Sequence, residues 1–399
     1  MGCTHSASGR TATDRAFKGV GEVRHQAPPP TQGRSHATSG NTADSITQQQ
    51  QQLSSIVQDN SRGGKRASSL ESTAAFTETT PSEPEVVRPH INWDLQFSEV
   101  TVESHIANGG YCTVLACQLY GERRAVKIPL VVCSDPEGAI ADLNNEIEIL
   151  KRLRHPHLCS VYGAGGTGGD TNDRPFLVLE RLQDKNLSQQ LGTDIDDTSM
   201  RAQIRIRKVR VKFPFRRRLE LGLQLVELLR YLHCECLPNG FIVHRDLKPS
   251  NLGISEDGQL KVFDFGLARI REQRDPLTDK YVMTAQTGSQ RFMAPEVFEG
   301  MPYNEKVDIF SYGIVLWELC SLQKPFAGMT AHQHARKVFK QGFRPVVDRC
   351  WPQGLGRLLQ ACWHPDPDFR PAATEAADTL SAIVDKMNSR KDRSAYDKL

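Results

Sequence analysis

The feature that most constrains this chain is the stretch His244–Gly266, which gathers acidic and amide side chains around one lysine. It begins His-Arg-Asp-Leu-Lys-Pro-Ser-Asn, continues through a strand-like passage and ends in Asp-Phe-Gly. Asn251 and Asp264 carry the oxygen ligands that Mg²⁺ prefers, and phosphates and waters usually complete its coordination. Asp246 is suited to orient a hydroxyl group and accept its proton, while Lys248 would face a phosphoryl group. The stretch therefore predicts a site for a magnesium-bound phosphate.

Bulk composition limits the other classes of function. With 399 residues, of which 38% are hydrophobic, the chain can bury a sizeable core in two or three domain units. A formal net charge of +3 is too small to indicate nucleic-acid binding. The ten cysteines lack the spacing of a zinc site, which favours a reducing compartment. The longest apolar run, residues 309–322, is interrupted by Glu318 and predicts a buried helix.

The first 90 residues differ in composition from the rest. They are rich in Ser, Thr, Gln, Gly and Pro without a sustained apolar period, so the sequence predicts that they are disordered. The opening Met-Gly-Cys-Thr-His-Ser fits the pattern for myristoylation at Gly2, with Cys3 as a palmitoylation candidate. Because two acyl chains anchor a protein stably and one does not, the pair predicts a location at the cytoplasmic face of a membrane. Disorder without acylation is the alternative.

Two strand-like segments, Phe97–Val102 and Thr113–Leu119, bracket a glycine-rich turn that contains Gly109 and Gly110. Bare backbone lets amide groups approach a phosphate closely, so such a hairpin can fold over a nucleotide. Two further strands are predicted, at Cys159–Tyr162 and at Pro175–Glu180.

A helix is predicted for Asp142–Arg154, and its apolar stripe places Glu146 on the inward face. An inward acid needs a buried cation, and Lys127, at the end of a strand-like segment, is the natural partner. An ordinary surface lysine that ends a strand is the alternative for Lys127.

The segment Met200–Arg218 is unusual because it carries nine basic residues and no acidic one. A solvated loop is the favoured interpretation, and contact with anionic lipid or an acidic partner is the alternative. Helices are predicted on either side of it, from Asn186–Leu191 and over Leu219–His233. The nine residues are Arg201, Arg205, Arg207, Lys208, Arg210, Lys212, Arg216, Arg217 and Arg218.

These motifs and their order resemble the protein kinases, and in particular the tyrosine-kinase-like group of serine/threonine kinases. The matching motifs include Ala-Val-Lys at 125–127 and Ala-Pro-Glu at 294–296. The resemblance implies an α+β, two-lobed fold, with a small β-rich N-lobe that has one main helix and a larger, mainly helical C-lobe. The implied boundaries are a disordered segment 1–90, a kinase domain 91–386 with lobes at about 97–182 and 183–386, and a polar tail 387–399.

The resemblance also implies a reaction, transfer of the γ-phosphoryl group of ATP with Mg²⁺ to a protein hydroxyl. Asp246 and Lys248 would be catalytic, Asn251 and Asp264 would bind the metal, and Glu146 would hold Lys127. Lys248 after Asp246 and Ser289 after Gly288 match the family's serine/threonine signature. Further nucleotide-binding residues would be Ile106, Ala107, Gly109, Val114, Ala125, Leu179, Glu180 and Leu182.

Three positions depart from the family pattern. Of the three glycines in the glycine-rich loop only Gly109 is kept, because Ala107 and Cys112 replace the outer two. Gly253 stands where the family more often has a large apolar residue under the adenine. These departures leave a membrane-tethered pseudokinase scaffold as one alternative. A tyrosine or dual-specificity kinase is a second alternative.

The segment between Asp264 and Ala-Pro-Glu is rich in hydroxyl groups. Arg245 needs an anionic partner, and a phosphate on this segment would supply one, so phosphorylation at Thr284 or a neighbour is predicted to raise activity. An upstream kinase or a second copy of the chain would add it. By the same resemblance Asp308 would brace the catalytic loop and Arg370 would pair with Glu296. The phosphorylation candidates are Thr278, Tyr281, Thr284, Thr287 and Ser289.

The predicted partners are protein substrates, with no nucleic acid. Membrane contact would come from the acyl chains on Gly2 and Cys3 and from the basic segment 201–218.

Overall fold

The structure is a computed structural model that describes residues 91–130, 133–166, 174–183, 185–195, 199–274 and 279–387. Gly2, Cys3 and Thr278 lie outside these ranges, as do residues 1–90 and 388–399. The predicted acylation, the membrane location and the role of Thr278 therefore stay predictions.

A five-stranded antiparallel sheet forms the N-lobe, with the spatial order β1-β2-β3-β5-β4. A two-residue turn, Tyr120 and Gly121, joins β2 to β3. Both residues have a positive φ, 54° and 80°, as this type of tight hairpin turn requires. Val126 and Leu115 are buried in its core. The strands are β1 (Val100–Asn108), β2 (Cys112–Leu119), β3 (Glu122–Pro129), β4 (Val161–Gly165) and β5 (Phe176–Glu180).

Two strand boundaries differ from the prediction. Phe97–Glu99 is a 3₁₀ turn, and β1 begins only at Val100. The predicted strand at Cys159 begins two residues later, because the Cys159 N–H donates to the carbonyl of Val262 in the other lobe.

The main N-lobe helix, α1 (Pro136–Arg152), buries the predicted apolar stripe, including Leu143 and Ile147. It starts six residues before the predicted start. The Asp135 carboxylate accepts the Gly138 N–H, and a proline at the first helical position lacks an N–H that would need a partner.

The C-lobe is built around α6 (Lys306–Ser321), which is buried on nearly all sides, as the apolar run predicts. In the part of the chain that the structure describes, no helix combines the length and the apolar character needed to span a bilayer. Around α6 lie α2 (Leu187–Leu191), α3 (Met200–Lys212), α4 (Phe215–Arg230), α5 (Pro295–Glu299), α7 (Ala331–His334), α8 (Gln353–Cys362) and α9 (Ala373–Met387).

The basic segment is a helix over most of its length, so the predicted solvated loop is wrong for residues 200–212. Val209 and Phe213 are buried and Ile206 is half-buried against the core. Their spacing of three and four residues is an apolar helical stripe, which the intervening arginines and lysines hide in the sequence.

The two-lobed α+β fold is confirmed. Between the lobes, two small antiparallel sheets carry the stretch His244–Gly266. One pairs β6 (Phe241–Val243) with β9 (Arg269–Arg271), and the other pairs β7 (Leu252–Ile254) with β8 (Leu260–Val262).

Candidate active site

The catalytic stretch leaves β6 and is held from beneath by Asp308, at the start of α6. The Asp308 carboxylate accepts the backbone N–H groups of His244 at 2.8 Å and Arg245 at 2.9 Å, and it lies 3.1 Å from Nε2 of His233. Arg245 has a φ of 68°, a conformation that is costly for a side chain with a Cβ. These hydrogen bonds hold that turn, which sets the position of the next residue, Asp246.

Asp246 lies at the centre of a polar cluster. Its Oδ1 accepts the Ser289 N–H at 2.8 Å, and its Oδ2 accepts Lys248 Nζ at 2.7 Å and Asn251 Nδ2 at 3.1 Å. Lys248 Nζ also donates to Ser289 Oγ at 2.8 Å. A carboxylate with this many donors has a fixed orientation, so it can place a hydroxyl group and accept its proton.

A second charged cluster crosses from the N-lobe to the Asp-Phe-Gly motif. Lys127 Nζ lies 2.6 Å from Glu146 Oε2 and 2.9 Å from Asp264 Oδ1. Glu146 also accepts the Phe265 N–H at 3.1 Å. The side chain of Glu146 is 1% exposed and that of Asp264 is 43% exposed, so Glu146 is structural and Asp264 faces the cleft.

Burial and charge act against each other on the pKa values of this cluster. Burial alone would lower the pKa of Lys127, but the neighbouring carboxylates of Asp264 and Glu146 raise it. The Lys127 ammonium group holds the pKa of Asp264 below its usual range. Lys127 and Asp264 are therefore charged at neutral pH, as binding to phosphate and to a cation requires.

Asn251 and Asp264 fit Mg²⁺ only together with other ligands. Asn251 donates through Nδ2, and among the described residues its Oδ1 receives no hydrogen bond. The described residues contain no cluster of three or more His, Cys, Asp or Glu side chains that could hold a metal ion. Two hard oxygen donors are what Mg²⁺ uses when nucleotide phosphates and waters complete its shell.

The glycine-rich turn joins the end of β1 to the start of β2, and Cys112 in it lies near the charges of Lys127 and Glu146. The Gly109 N–H donates to the Cys112 carbonyl at 2.7 Å, and Thr113 Oγ1 donates to Asn108 Oδ1 at 2.8 Å. Cys112 is buried, and burial raises the pKa of its thiol to about 11. Its side chain occupies the place of the third family glycine without breaking the hairpin.

The predicted nucleotide-binding residues lie on adjacent strands next to this turn. Val114 is paired with Ala107 on one side and with Lys127 on the other, and Ala125 is paired with Leu179. Ile106 is half-buried in β1. The structure therefore brings these predicted contacts together on one sheet.

The linker after β5 shows why Gly253 is tolerated. A Cβ at this position would lie 2.6 Å from Cδ1 of Leu182 and 3.4 Å from the ring of Phe263. Leu182 therefore fills the space where the family has a large side chain. Glu180 at the end of β5 is fixed by Lys261 at 3.1 Å, and its N–H donates to the Ser160 carbonyl.

The family model for the protein kinase domain matches residues 100–380. This chain belongs to the protein kinase family. Similar curated proteins include serine/threonine-protein kinase STY17 of Arabidopsis thaliana, at 30% identity over 73% of this chain and 46% of that protein. Serine/threonine-protein kinase VIK of Arabidopsis thaliana is 32% identical over 77% and 66%. Mitogen-activated protein kinase kinase kinase 7 of Drosophila melanogaster is 30% identical over 73% and 38%.

The membership of the protein kinase family that the motifs implied is thus confirmed, and these relatives are consistent with the tyrosine-kinase-like group. The kinase chain spans less than half the length of the first of these relatives.

The activation segment of this kinase distinguishes the predicted phosphorylation candidates. Ser289 lies in the catalytic cluster, and the Tyr281 hydroxyl donates to the Gln273 carbonyl at 3.2 Å. The Thr287 hydroxyl donates to the Thr284 carbonyl at 3.1 Å, whereas the Thr284 side chain is exposed. Of the four candidates that the structure describes, Thr284 therefore has the side chain most open to modification.

Arg245 has only neutral partners in the described part of the kinase. It donates to the Leu267 carbonyl at 2.7 Å and to the Tyr303 hydroxyl at 3.1 Å, and no described carboxylate forms an ion pair with it. Tyr303 in turn donates to the Thr284 carbonyl at 3.0 Å. Burial and the charge of Arg245 lower the pKa of the nearby Arg269, which shows a concentration of positive charge.

Arg370 and Glu296 form a buried two-point ion pair at 2.6 and 2.8 Å. The arginine also donates to the carbonyls of His364, Lys306 and Pro365. This network ties the Ala-Pro-Glu motif to the loop before α9.

Asn145 is a site residue that the sequence reasoning missed. From α1 its Nδ2 donates to the carbonyls of Gly266 at 2.8 Å, Ala268 at 3.2 Å and Phe265 at 3.4 Å. One amide group therefore holds the start of the activation segment against the helix that carries Glu146. The only signal in the sequence is its place next to Glu146 on the inward side of α1.

We expect Asn145→Ala to lower the rate of phosphoryl transfer about tenfold, because several hydrogen bonds of about 1 kcal/mol each position the Asp-Phe-Gly motif. Asn145→Asp, which keeps the shape and loses the donor, should have a similar effect. The measurement is kcat and KM for ATP together with the urea unfolding midpoint. Asn144→Ala is the matched control, and an equal loss of rate in that variant would contradict a positioning role.

Proposed function

We propose that this kinase transfers the γ-phosphoryl group of ATP to serine and threonine hydroxyl groups of proteins. Two observations together carry the proposal. Asp246, Lys248 and Ser289 form one hydrogen-bonded cluster. Lys127 contacts both Glu146 and Asp264. Relatives named as serine/threonine kinases support the same class of acceptor.

Each residue has a distinct role in this reaction. Asp246 orients the incoming hydroxyl group and takes its proton, and Lys248 offsets the negative charge on the transferred group. Lys127, fixed by Glu146, contacts the phosphates of the nucleotide. Asp264 and Asn251 would hold Mg²⁺, which would neutralise charge on the phosphates.

The arrangement around Lys248 favours serine and threonine as acceptors. Its ammonium group donates to both the Asp246 carboxylate and the Ser289 hydroxyl, so the segment around Ser289 lies close to the proposed catalytic base. A short aliphatic hydroxyl reaches such a base, whereas a tyrosine hydroxyl stands farther from its own backbone.

The test is transfer of radiolabel from γ-labelled ATP to a general protein substrate, followed by phosphoamino-acid analysis. Wild type is expected to give phosphoserine and phosphothreonine, and Asp264→Ala is expected to give neither. Equal labelling by both proteins would reject the proposed chemistry and leave a scaffold. A product of phosphotyrosine alone would reject the acceptor class.

We further propose that phosphorylation of Thr284 activates the kinase. The Thr284 carbonyl is linked through Tyr303 to Arg245, which forms no ion pair with any carboxylate in the described residues. A phosphate on the exposed Thr284 side chain supplies the missing anion and orders the segment. Another kinase or a second copy of this chain would add it.

We expect Thr284→Ala to lower activity about tenfold, a usual size for coupling between two states. Phosphatase treatment should lower wild-type activity and leave Thr284→Ala unchanged. Thr287→Ala is the control, because its hydroxyl is already bonded to backbone. Mass spectrometry that finds Thr284 unmodified in fully active protein would refute this mode of activation.

A further inference from the structure

The outward face of α3 combines exposed apolar side chains with cations. Ile204 is 53% exposed and Val211 is 82% exposed, and their spacing of seven residues places them one above the other. Arg207, Lys208 and Arg210 are also exposed. At 3.6 residues per turn, Arg207 and Lys208 lie about 50° to either side of the apolar pair, and Arg210 lies about 110° from it, at the edge of the face. The face is therefore an apolar centre with cations on both flanks.

The inward side fixes this helix to the C-lobe. Val209 is buried, and Arg205 lies over Gly192, where an added Cβ would come within 2.6 Å of Arg205 Nε. Lys212 Nζ donates to Gln190 Oε1 at 2.9 Å. The orientation of the outward face is therefore set by the fold.

Most of the other basic residues of the segment already have partners. Arg218 is buried and donates to the Cys320 carbonyl, Arg216 pairs with Glu220 at 2.8 Å, and Arg217 donates to the Gly258 carbonyl. For Arg207, Lys208 and Arg210, by contrast, the described residues offer no ion-pair partner. Three cations and two apolar side chains are thus presented together to the outside of the domain.

We propose that this face of α3 binds the surface of an anionic lipid bilayer. Ile204 and Val211 would enter the boundary between headgroups and acyl chains, and Arg207, Lys208 and Arg210 would lie among the phosphate headgroups. An apolar centre with basic flanks is the pattern of helices that lie in a membrane interface. Anionic lipid supplies the opposite charge over an area larger than the face.

A bilayer fits better than an acidic peptide for two reasons. The face is the convex side of a helix, which matches a flat surface and offers no groove for an extended chain. The apolar side chains lie at its centre and the cations at its edges. Both kinds of contact form at once on a surface whose outer layer is anionic and whose interior is apolar.

The binding does not depend on the proposed reaction, so it is measured without catalysis. The full chain, expressed without acyl groups, is sedimented with vesicles of phosphatidylcholine containing about one third phosphatidylserine, at about 0.15 M salt. Wild type is expected to partition to these vesicles and to remain in solution with phosphatidylcholine alone.

The key variant is Arg207→Gln/Lys208→Gln/Arg210→Gln. At about 1 kcal/mol for each basic residue near the surface, its partition coefficient should fall roughly 100-fold. Ile204→Ser/Val211→Ser, at exposed positions, should lower it about tenfold. The matched control is Arg123→Gln/Arg336→Gln/Lys337→Gln. It also removes two arginines and one lysine, but from exposed sites elsewhere on the protein. It should bind as wild type does.

Three outcomes would overturn the proposal. They are wild-type partition that does not depend on phosphatidylserine, an equal loss in the control triple variant, and unchanged partition of Ile204→Ser/Val211→Ser. In that last case, tight binding of polyglutamate by wild type would identify an acidic protein segment as the occupant.

Discussion

Replacing Asp246 with asparagine should lower kcat for phosphoryl transfer by about 10²–10⁴-fold, the usual contribution of a positioned general base. The amide keeps the shape of the side chain but cannot take a proton from the acceptor hydroxyl. Its Oδ1 can still accept the Ser289 N–H, so the surrounding loop should stay in place. Rapid-quench measurement of one turnover would separate the chemical step from product release.

The matched variant for this experiment is Asp264→Asn, which changes a carboxylate in the metal-binding half of the site. We expect Asp246→Asn to bind ATP with Mg²⁺ as tightly as wild type does, and Asp264→Asn to lose most of the magnesium dependence of that binding. Isothermal calorimetry with and without Mg²⁺ measures both. A loss of nucleotide affinity in Asp246→Asn that equals its loss in rate would contradict the assigned role.

Replacing Arg370 with alanine should cost about 3–5 kcal/mol of unfolding free energy, because it leaves the buried Glu296 carboxylate without its cation. The arginine side chain is 0% exposed, and both of its terminal nitrogens donate to Glu296. Three backbone carbonyls lose their donor in the same variant. Urea unfolding at equilibrium measures the change.

The control is a double variant that tests the effect of charge separately from that of shape. Arg370→Met/Glu296→Met removes both charges and should be more stable than Arg370→Ala, since no unpaired ion remains. A loss of less than about 1 kcal/mol of unfolding free energy in Arg370→Ala would contradict the prediction, because that is the effect of an exposed ion pair.

The order of the helices and strands could be predicted from the sequence because the spacing of apolar residues indicates the type of most elements. The alternation around β1 and β2, the stripe of α1 and the continuous apolar run of α6 each identify one element type. The ends of elements were predicted less well. The first turn of α1 depends on Asp135 and Pro136, which lie outside the apolar stripe, and the start of β4 depends on a hydrogen bond to the other lobe.

The basic helix α3 was missed for a different reason. Its buried stripe consists of single apolar residues separated by arginines and lysines. The high density of charge therefore obscures the helical period of the apolar residues in the sequence. Tertiary packing of Val209 and Phe213 decides the structure. In the site, motif residues such as Asp246 and Lys127 could be located because their types and order are specific. Asn145 could not, because its three acceptors are backbone carbonyls far along the chain.

The thiol at the third glycine position of the nucleotide loop has a consequence for inhibitor chemistry. Electrophilic drugs react with thiolates, and burial, which raises the pKa of Cys112 to about 11, keeps this thiol protonated at physiological pH. Acrylamides aimed at this loop should therefore modify the protein slowly, and peroxide should spare it for the same reason. Selective compounds would do better to exploit the contact in which Leu182 fills the space above Gly253, a difference in shape that does not depend on reactivity.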